Sequence, residues 1–322
     1  MLYGLSLAHH EKEGAIKMND IVIKDLVKDY GKVRALNGVN LKVPSGSTFG
    51  LIGQNGAGKT TLFSILANFL KPTSGSINIL GHDTAHYSKI YGKIGALPQD
   101  SLLYKNQSIF TQLVYFSKIL GLTTAEAKEE VNRVLGLVNL MDKKHTKASN
   151  LSHGMTKRLG IAQALLGSPE IILLDEPLAG LDPPLVKSIR NLILSLKKDI
   201  TLIISSHNLY EVEEICDHVA ILHEGKIMAS EEISKMKGQN NLVSYHLDLC
   251  PNIDRFKQIN EVLQASINIE SQVLSISYDE TLVNLSQINN IVIDALREQN
   301  CGLMKITTGH SLEESFLKHI QK

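Results

Sequence analysis

The eight residues Gly53-Gln54-Asn55-Gly56-Ala57-Gly58-Lys59-Thr60 constrain this chain more than any other feature. They fit G-x-x-x-x-G-K-[ST], follow a β-type run that ends at Ile52, and precede the helical run Thr61 to Phe69. Strand, loop and helix in that order form a phosphate-cradling loop. Glycines let the backbone turn and bring its N–H groups onto phosphate oxygens, and the start of the helix favours negative charge. The spacing predicts that Lys59 reaches the β- and γ-phosphates of a nucleotide and that the Thr60 hydroxyl binds Mg²⁺. Gln54, Asn55, Ala57 and Thr61 complete the expected cradle with Gly53, Gly56 and Gly58.

The flanking sequence reads as alternating strands and helices. Ile21–Leu26, Gly38–Val43 and Thr48–Ile52 are short β-rich runs, the last two separated by a turn at Pro44-Ser45-Gly46. From Ser108 to Val138 the period becomes helical, with Phe110, Leu113, Val114 and Ser117 on one face, then Ala127, Val131, Val134 and Leu135. Ile171–Leu174 and Thr201–Ser205 are short apolar runs with a helix expected over Leu185–Leu196 between them. That order indicates a buried, mainly parallel sheet. His223-Glu224-Gly225-Lys226 reads as a hairpin turn closing this domain. Ile171 to Leu174 leads into Asp175-Glu176, two carboxylates at a strand's carboxyl end, where an open α/β sheet binds ligands. Asp175 is placed to hold Mg²⁺ and Glu176 to orient or deprotonate an attacking water.

Beyond Gln239 the pattern changes to strand (Leu242–Leu249), helix (Ile253–Leu263), strand (Val273–Ser277), helix (Val283–Leu296) and strand (Leu303–Thr307). A further strand has room at Ser266–Ile269, which suits a small ferredoxin-like unit. The expected domains are a tail over 1–18, with Met18 an alternative start, a phosphate-loop domain over 19–238 with a helical subdomain at about 100–165, and a C-terminal accessory domain over 239–322. Lys plus Arg equals Asp plus Glu, 33 each, so there is no bulk basic field for nucleic acid, and none is expected as a partner. The three cysteines, Cys216, Cys250 and Cys301, show no metal-ligand spacing, which fits a reducing compartment. No window is long and apolar enough to predict a membrane-spanning helix.

Between the loop and the acidic strand end, Leu151-Ser152-His153-Gly154-Met155 opens a helix expected over Met155–Leu166. It resembles the signature of ABC ATPases, usually Leu-Ser-Gly-Gly-Gln. The other landmarks of that family occur in its order: Tyr30 matches the adenine-stacking aromatic, Gln99 the Q-loop glutamine, Gly180-Leu181-Asp182 the D-loop and His207 the switch histidine. The resemblance covers about Ile21 to Ala229 and implies an α/β fold: a P-loop NTPase core with a mainly parallel sheet, an N-terminal antiparallel β subdomain and an inserted helical subdomain. It implies that ATP and Mg²⁺ are the cofactors, that Gln99 joins Thr60 and Asp175 at the metal, and that Gln99, Glu176 and His207 act in hydrolysis. Ser152 and Gly154 would face the γ-phosphate of a second subunit, with Asp182 nearby, in a homodimer or heterodimer. The dimer would drive a separately encoded permease from the cytoplasmic face of the membrane. His153 and Met155 depart from the usual signature. The Met-containing form and the tail Ser311-Leu312-Glu313-Glu314-Ser315-Phe316-Leu317 resemble exporters of drugs, polysaccharides and lipids. One P-loop, a helical insert of ordinary length, no heptads and balanced charge disfavour members acting on ribosomes or DNA; an importer differs only in the signature and tail.

Overall fold

The computed structural model describes residues 19–98, 103–197, 200–236, 241–309, 312 and 316. The expected tail over 1–18, Gln99 and the expected boundary at 238/239 lie outside these residues, and of the Ser311–Leu317 run only Leu312 and Phe316 are described. The chain divides into two compact units, one of Met1–His207 with Leu222–Ile227, the other of Asn208–Ile221 with Met228–Lys322.

In the first unit, β1 (Asn19–Tyr30) and β2 (Val33–Pro44) form a long antiparallel hairpin. β3 (Thr48–Ile52) and α1 (Lys59–Leu66) flank the phosphate loop. β4 (Ser74–Ile79) and β5 (His82–Asp83) then return to the hairpin, giving an antiparallel sheet in the order β2-β1-β4-β5. α1 stops at Leu66 rather than Phe69 because Asn68 takes φ 60, a left-handed conformation that asparagine tolerates.

Next come β6 (Ile94–Leu97), α2 (Ile109–Ile119), α3 (Thr124–Leu137), α4 (His153–Ala164), β7 (Ile171–Asp175), α5 (Pro183–Leu196) and β8 (Thr201–Ser206). β3, β8, β7 and β6 lie side by side in that order, each adjacent pair parallel. Every residue of β3, β7 and β8 is buried, which is why they read as largely apolar runs. Because these strands are parallel, their carboxyl ends share one edge, and the phosphate loop, Asp175-Glu176 and His207 all follow from that edge.

The helical insert is capped by local chemistry. Ser108 Oγ accepts the Thr111 N–H at 3.1 Å, and Thr123 with Glu126 forms a reciprocal capping box at α3. Ala127, Val131, Val134 and Leu135 are buried as their spacing predicts. On α2 the buried face is Ile109, Gln112, Leu113 and Ser117, so it is rotated away from Phe110 and Val114. Two internal bonds account for this: Gln112 Oε1 accepts the Tyr104 N–H at 3.3 Å, and Ser117 Oγ donates to the Leu113 carbonyl at 2.9 Å. Side chains that find such a partner can then occupy an interior face, although the Gln112 Nε2 is buried without one.

After β8 come α6 (Leu209–Ile215), β9 (His218–His223), β10 (Lys226–Glu232) and α7 (Ile233–Met236). Glu224 and Gly225, between β9 and β10, have φ 46 and 74, the paired positive values of a tight hairpin turn. The second unit continues with β11 (Leu242–Leu247), α8 (Asp254–Lys257), β12 (Val262–Asn268), β13 (Val273–Tyr278), α9 (Leu285–Glu298) and β14 (Leu303–Thr308). The sheet order is β12-β13-β11-β14, with every adjacent pair antiparallel. This is the ferredoxin-like split β-α-β arrangement. The first helix departs from expectation, since only Asp254–Lys257 is helical and Val262 already pairs with Tyr278 in the sheet. The helical spacing Ile253, Phe256, Ile259 is used up in one turn that seats fully buried Phe256 in the core. Buried Tyr245 donates its hydroxyl to Asn289 Oδ1 at 2.7 Å, the partner an interior tyrosine needs.

Candidate nucleotide site

The loop after β3 turns on Gly58, whose φ of 110 lies outside the comfortable range of residues with side chains. A Cβ there would stand 2.7 Å from the Ala35 carbonyl oxygen, so the chain's own backbone already requires glycine. Gly58 is the N-cap of α1 and supplies no capping side chain, and the first turn of α1 holds no acidic residue. The amides at the start of the helix are therefore available to an anion. Lys59, 6% exposed, folds back under the loop, where its Nζ donates to the Gly53 carbonyl at 2.8 Å and the Gln54 carbonyl at 3.3 Å.

A cavity of about 400 Å³ opens above the loop. Asn55, Gly56, Gly58, Lys59, Thr60 and Thr61 line one side, and Glu176 and His207 the other. Two carboxylates at the end of β7 behave differently. Asp175 is 2% exposed and accepts a hydrogen bond from the Ser205 hydroxyl of β8. Glu176 takes φ 49 and points its carboxylate at two bases, His207 Nδ1 at 3.0 Å and Lys59 Nζ at 3.6 Å. Its N–H donates to Ser205 Oγ at 2.9 Å, and its carbonyl lies 3.5 Å from the buried Lys157 Nζ on α4.

Thr60 and Asp175 also share the lining of a smaller adjacent pocket. A hydroxyl and a carboxylate are hard oxygen donors of the kind Mg²⁺ prefers, and Mg²⁺ commonly takes its remaining ligands from water and substrate phosphates. Among the described residues no group of three or more His, Cys, Asp or Glu could hold a metal alone. The donor set fits a metal that arrives with a nucleotide.

The structure does not bring every expected site residue to this cavity. Ser152 is the exposed N-cap of α4, its Oγ accepting the Met155 N–H at 3.3 Å. Gly154 is buried against α5, where a Cβ would meet Leu185 Cδ1 at 2.6 Å. Asp182 is the exposed N-cap of α5 and makes no side-chain capping bond. Tyr30 ends β1, 45% exposed, with the Lys28 ammonium 5.2 Å from its ring centroid. None of these four lines the cavity. Ser205 and Lys157 were missed by the sequence reading, although each carries a faint signal. Ser205 is a polar residue in a fully buried strand, and Lys157 occupies the buried stripe Gly154, Lys157, Ile161, Ala164 of α4.

The ABC transporter family profile matches residues 36–179. A bacitracin transport ATP-binding protein of Bacillus licheniformis is 40% identical over 219 residues, 67% of this chain and 71% of the relative. A lantibiotic transport ATP-binding protein of Streptococcus pyogenes is 40% identical over 221 residues, 68% of this chain and 93% of the relative. An uncharacterized ABC transporter ATP-binding protein of Bacillus subtilis, 33% identical over 309 residues, spans 89% of this chain and 96% of its own. Among solved structures, a nucleotide-free ATP-binding cassette from an ABC transporter superposes with a TM-score of 0.62 at 28% identity, over 68% of this chain and 94% of the cassette.

Proposed function

Since this chain belongs to the ABC transporter family, binding ATP and hydrolysing it to power a separate membrane permease, we propose that it serves an exporter as one member of an ATPase pair. The observation that carries the mechanistic reading is the convergence of Lys59 and His207 on the Glu176 carboxylate at the mouth of the phosphate loop. Without nucleotide, Lys59 neutralises Glu176. The β- and γ-phosphates offer the ammonium a stronger anionic partner, and Glu176 is then released to accept a proton from water. His207 also holds that carboxylate and, lining the same cavity, would donate to a terminal phosphate bound there. Thr60 and Asp175, with Gln99, would hold Mg²⁺, which would supply positive charge against the phosphates of the nucleotide.

Tyr30 offers the adenine its flat ring at the tip of the hairpin. Ser152 and Gly154 begin a helix, and Ser152, like Asp182, is exposed and does not line the cavity of its own subunit, which suits a role at the nucleotide held by a second subunit. Among the described residues no helix is long and apolar enough to cross a membrane. Work with a membrane permease would hold the chain at the cytoplasmic face of the membrane. The names of the relatives, tied to transport of bacitracin and a lantibiotic, support an exporter.

The test is Glu176→Gln. ATP affinity should be retained while turnover falls by about a hundredfold or more, because an amide cannot accept the proton. Wild-type hydrolysis by this variant would refute the assignment of the base.

A further inference from the structure

Lys157 is a buried cation that the mechanism above does not use. It is 8% exposed and sits on the inward stripe of α4 between Gly154 and Ile161. Its Nζ approaches the main-chain carbonyl of Glu176, 19 residues away in sequence, at 3.5 Å. Glu176 needs such support, since a glutamate at φ 49 holds a left-handed conformation that side-chain-bearing residues seldom adopt without external restraint. The Glu176 peptide is held on both sides, its N–H by Ser205 of β8 and its carbonyl by Lys157 of α4.

We propose that Lys157 is a positioning residue for hydrolysis, fixing the main chain of Glu176 so that its carboxylate meets the attacking water. The proposal rests on the reading of Glu176 as the base. It also gives α4 a second task. Ser152 caps the start of this helix and Lys157 lies five residues on, about 7.5 Å along a rigid axis. Any displacement of Ser152 on meeting a nucleotide is therefore carried by the same helix to the Glu176 carbonyl. Lys157 is not itself among the residues that line the cavity, and it meets Glu176 only at the main chain, so ATP affinity should be indifferent to it.

The experiment measures kcat and KM for ATP, and the affinity of a fluorescent ATP analogue, in full-length Lys157→Met, Lys157→Gln and Lys157→Arg, alongside Glu176→Gln. Methionine keeps most of the length and removes every donor. Glutamine keeps a donor but ends one bond short, and arginine restores both reach and charge. Lys157→Met should lose about tenfold or more in kcat with KM and analogue affinity within about twofold of wild type, and Lys157→Arg should recover most of the loss. Should Lys157→Met fail to fold, the same kcat-selective loss is expected of Lys157→Gln. Wild-type kcat in the methionine variant, or in the glutamine variant if methionine does not fold, overturns the proposal. So does a loss shared equally between kcat and analogue affinity, or an arginine variant no better than methionine. If Glu176→Gln itself turns over normally, the base assignment fails, whereas an inactive Glu176→Gln beside a fully active Lys157→Met removes the Lys157 role alone.

Discussion

Lys59→Met in the nucleotide-free protein asks which of two contacts holds the loop lysine. Its ammonium lies 2.8 Å from the Gly53 carbonyl and 3.6 Å from Glu176 Oε1, and the lysine and glutamate side chains are 7% and 11% exposed. Coulomb's law at an effective dielectric of about 20 gives the ion pair a gross attraction of about 4–5 kcal/mol, much of it cancelled by desolvation. Removing one partner of a buried pair costs about 3–5 kcal/mol because the other charge is stranded. Here His207 still faces Glu176 at 3.0 Å, which should cut the cost of Lys59→Met to about 2–3 kcal/mol. Glu176→Gln strands Lys59 less severely, since the Gly53 and Gln54 carbonyls remain. The double variant strands neither charge, so the cycle should show a coupling of about 2 kcal/mol. The assay is urea unfolding of the four full-length proteins without nucleotide or Mg²⁺. A coupling below about 0.5 kcal/mol would mean that Lys59 is held by the loop carbonyls alone, and the proposed release of Glu176 by ATP would lose its basis.

Two further outcomes are expected. Burial pushes the Glu130 carboxyl up, but the Arg133 guanidinium and the N–H groups of Gly167 and Ser168 outweigh it and hold the folded pKa below the usual carboxylate value. Its contribution is therefore complete above the unfolded pKa of about 4.3 and lost as pH falls through the folded value; Glu130→Gln should be less stable than wild type at neutral pH, with the gap closing below about pH 4, and a gap that persists into acid would refute the ionic origin. Gly58→Ala should lower ATP affinity by about tenfold or more in a fluorescent-nucleotide titration, because φ 110 and the 2.7 Å approach to the Ala35 oxygen force the loop to move; unchanged affinity would show that the loop relaxes without loss.

What the sequence determined by itself is local or periodic. The phosphate loop is legible because strand end, glycines, lysine and helix start are consecutive residues, and β3 and β7 because strands buried on both faces must be apolar throughout. α3 is legible from its capping box and from Ala127, Val131, Val134 and Leu135 on one face. Tertiary structure decided whatever depends on partners distant in the chain. α2 turns its buried face because Gln112 finds the Tyr104 amide, and Val262 becomes strand because β13 offers it an edge. The same holds at the site. That Lys59 meets Glu176, that Ser205 bridges Asp175 and the Glu176 amide, and that Lys157 reaches the Glu176 carbonyl are contacts made between separate elements, which only the packing of α1, α4, β7 and β8 brings together. Side-chain type and spacing carry no record of such distances, because a buried lysine and an exposed one have the same letter in the sequence.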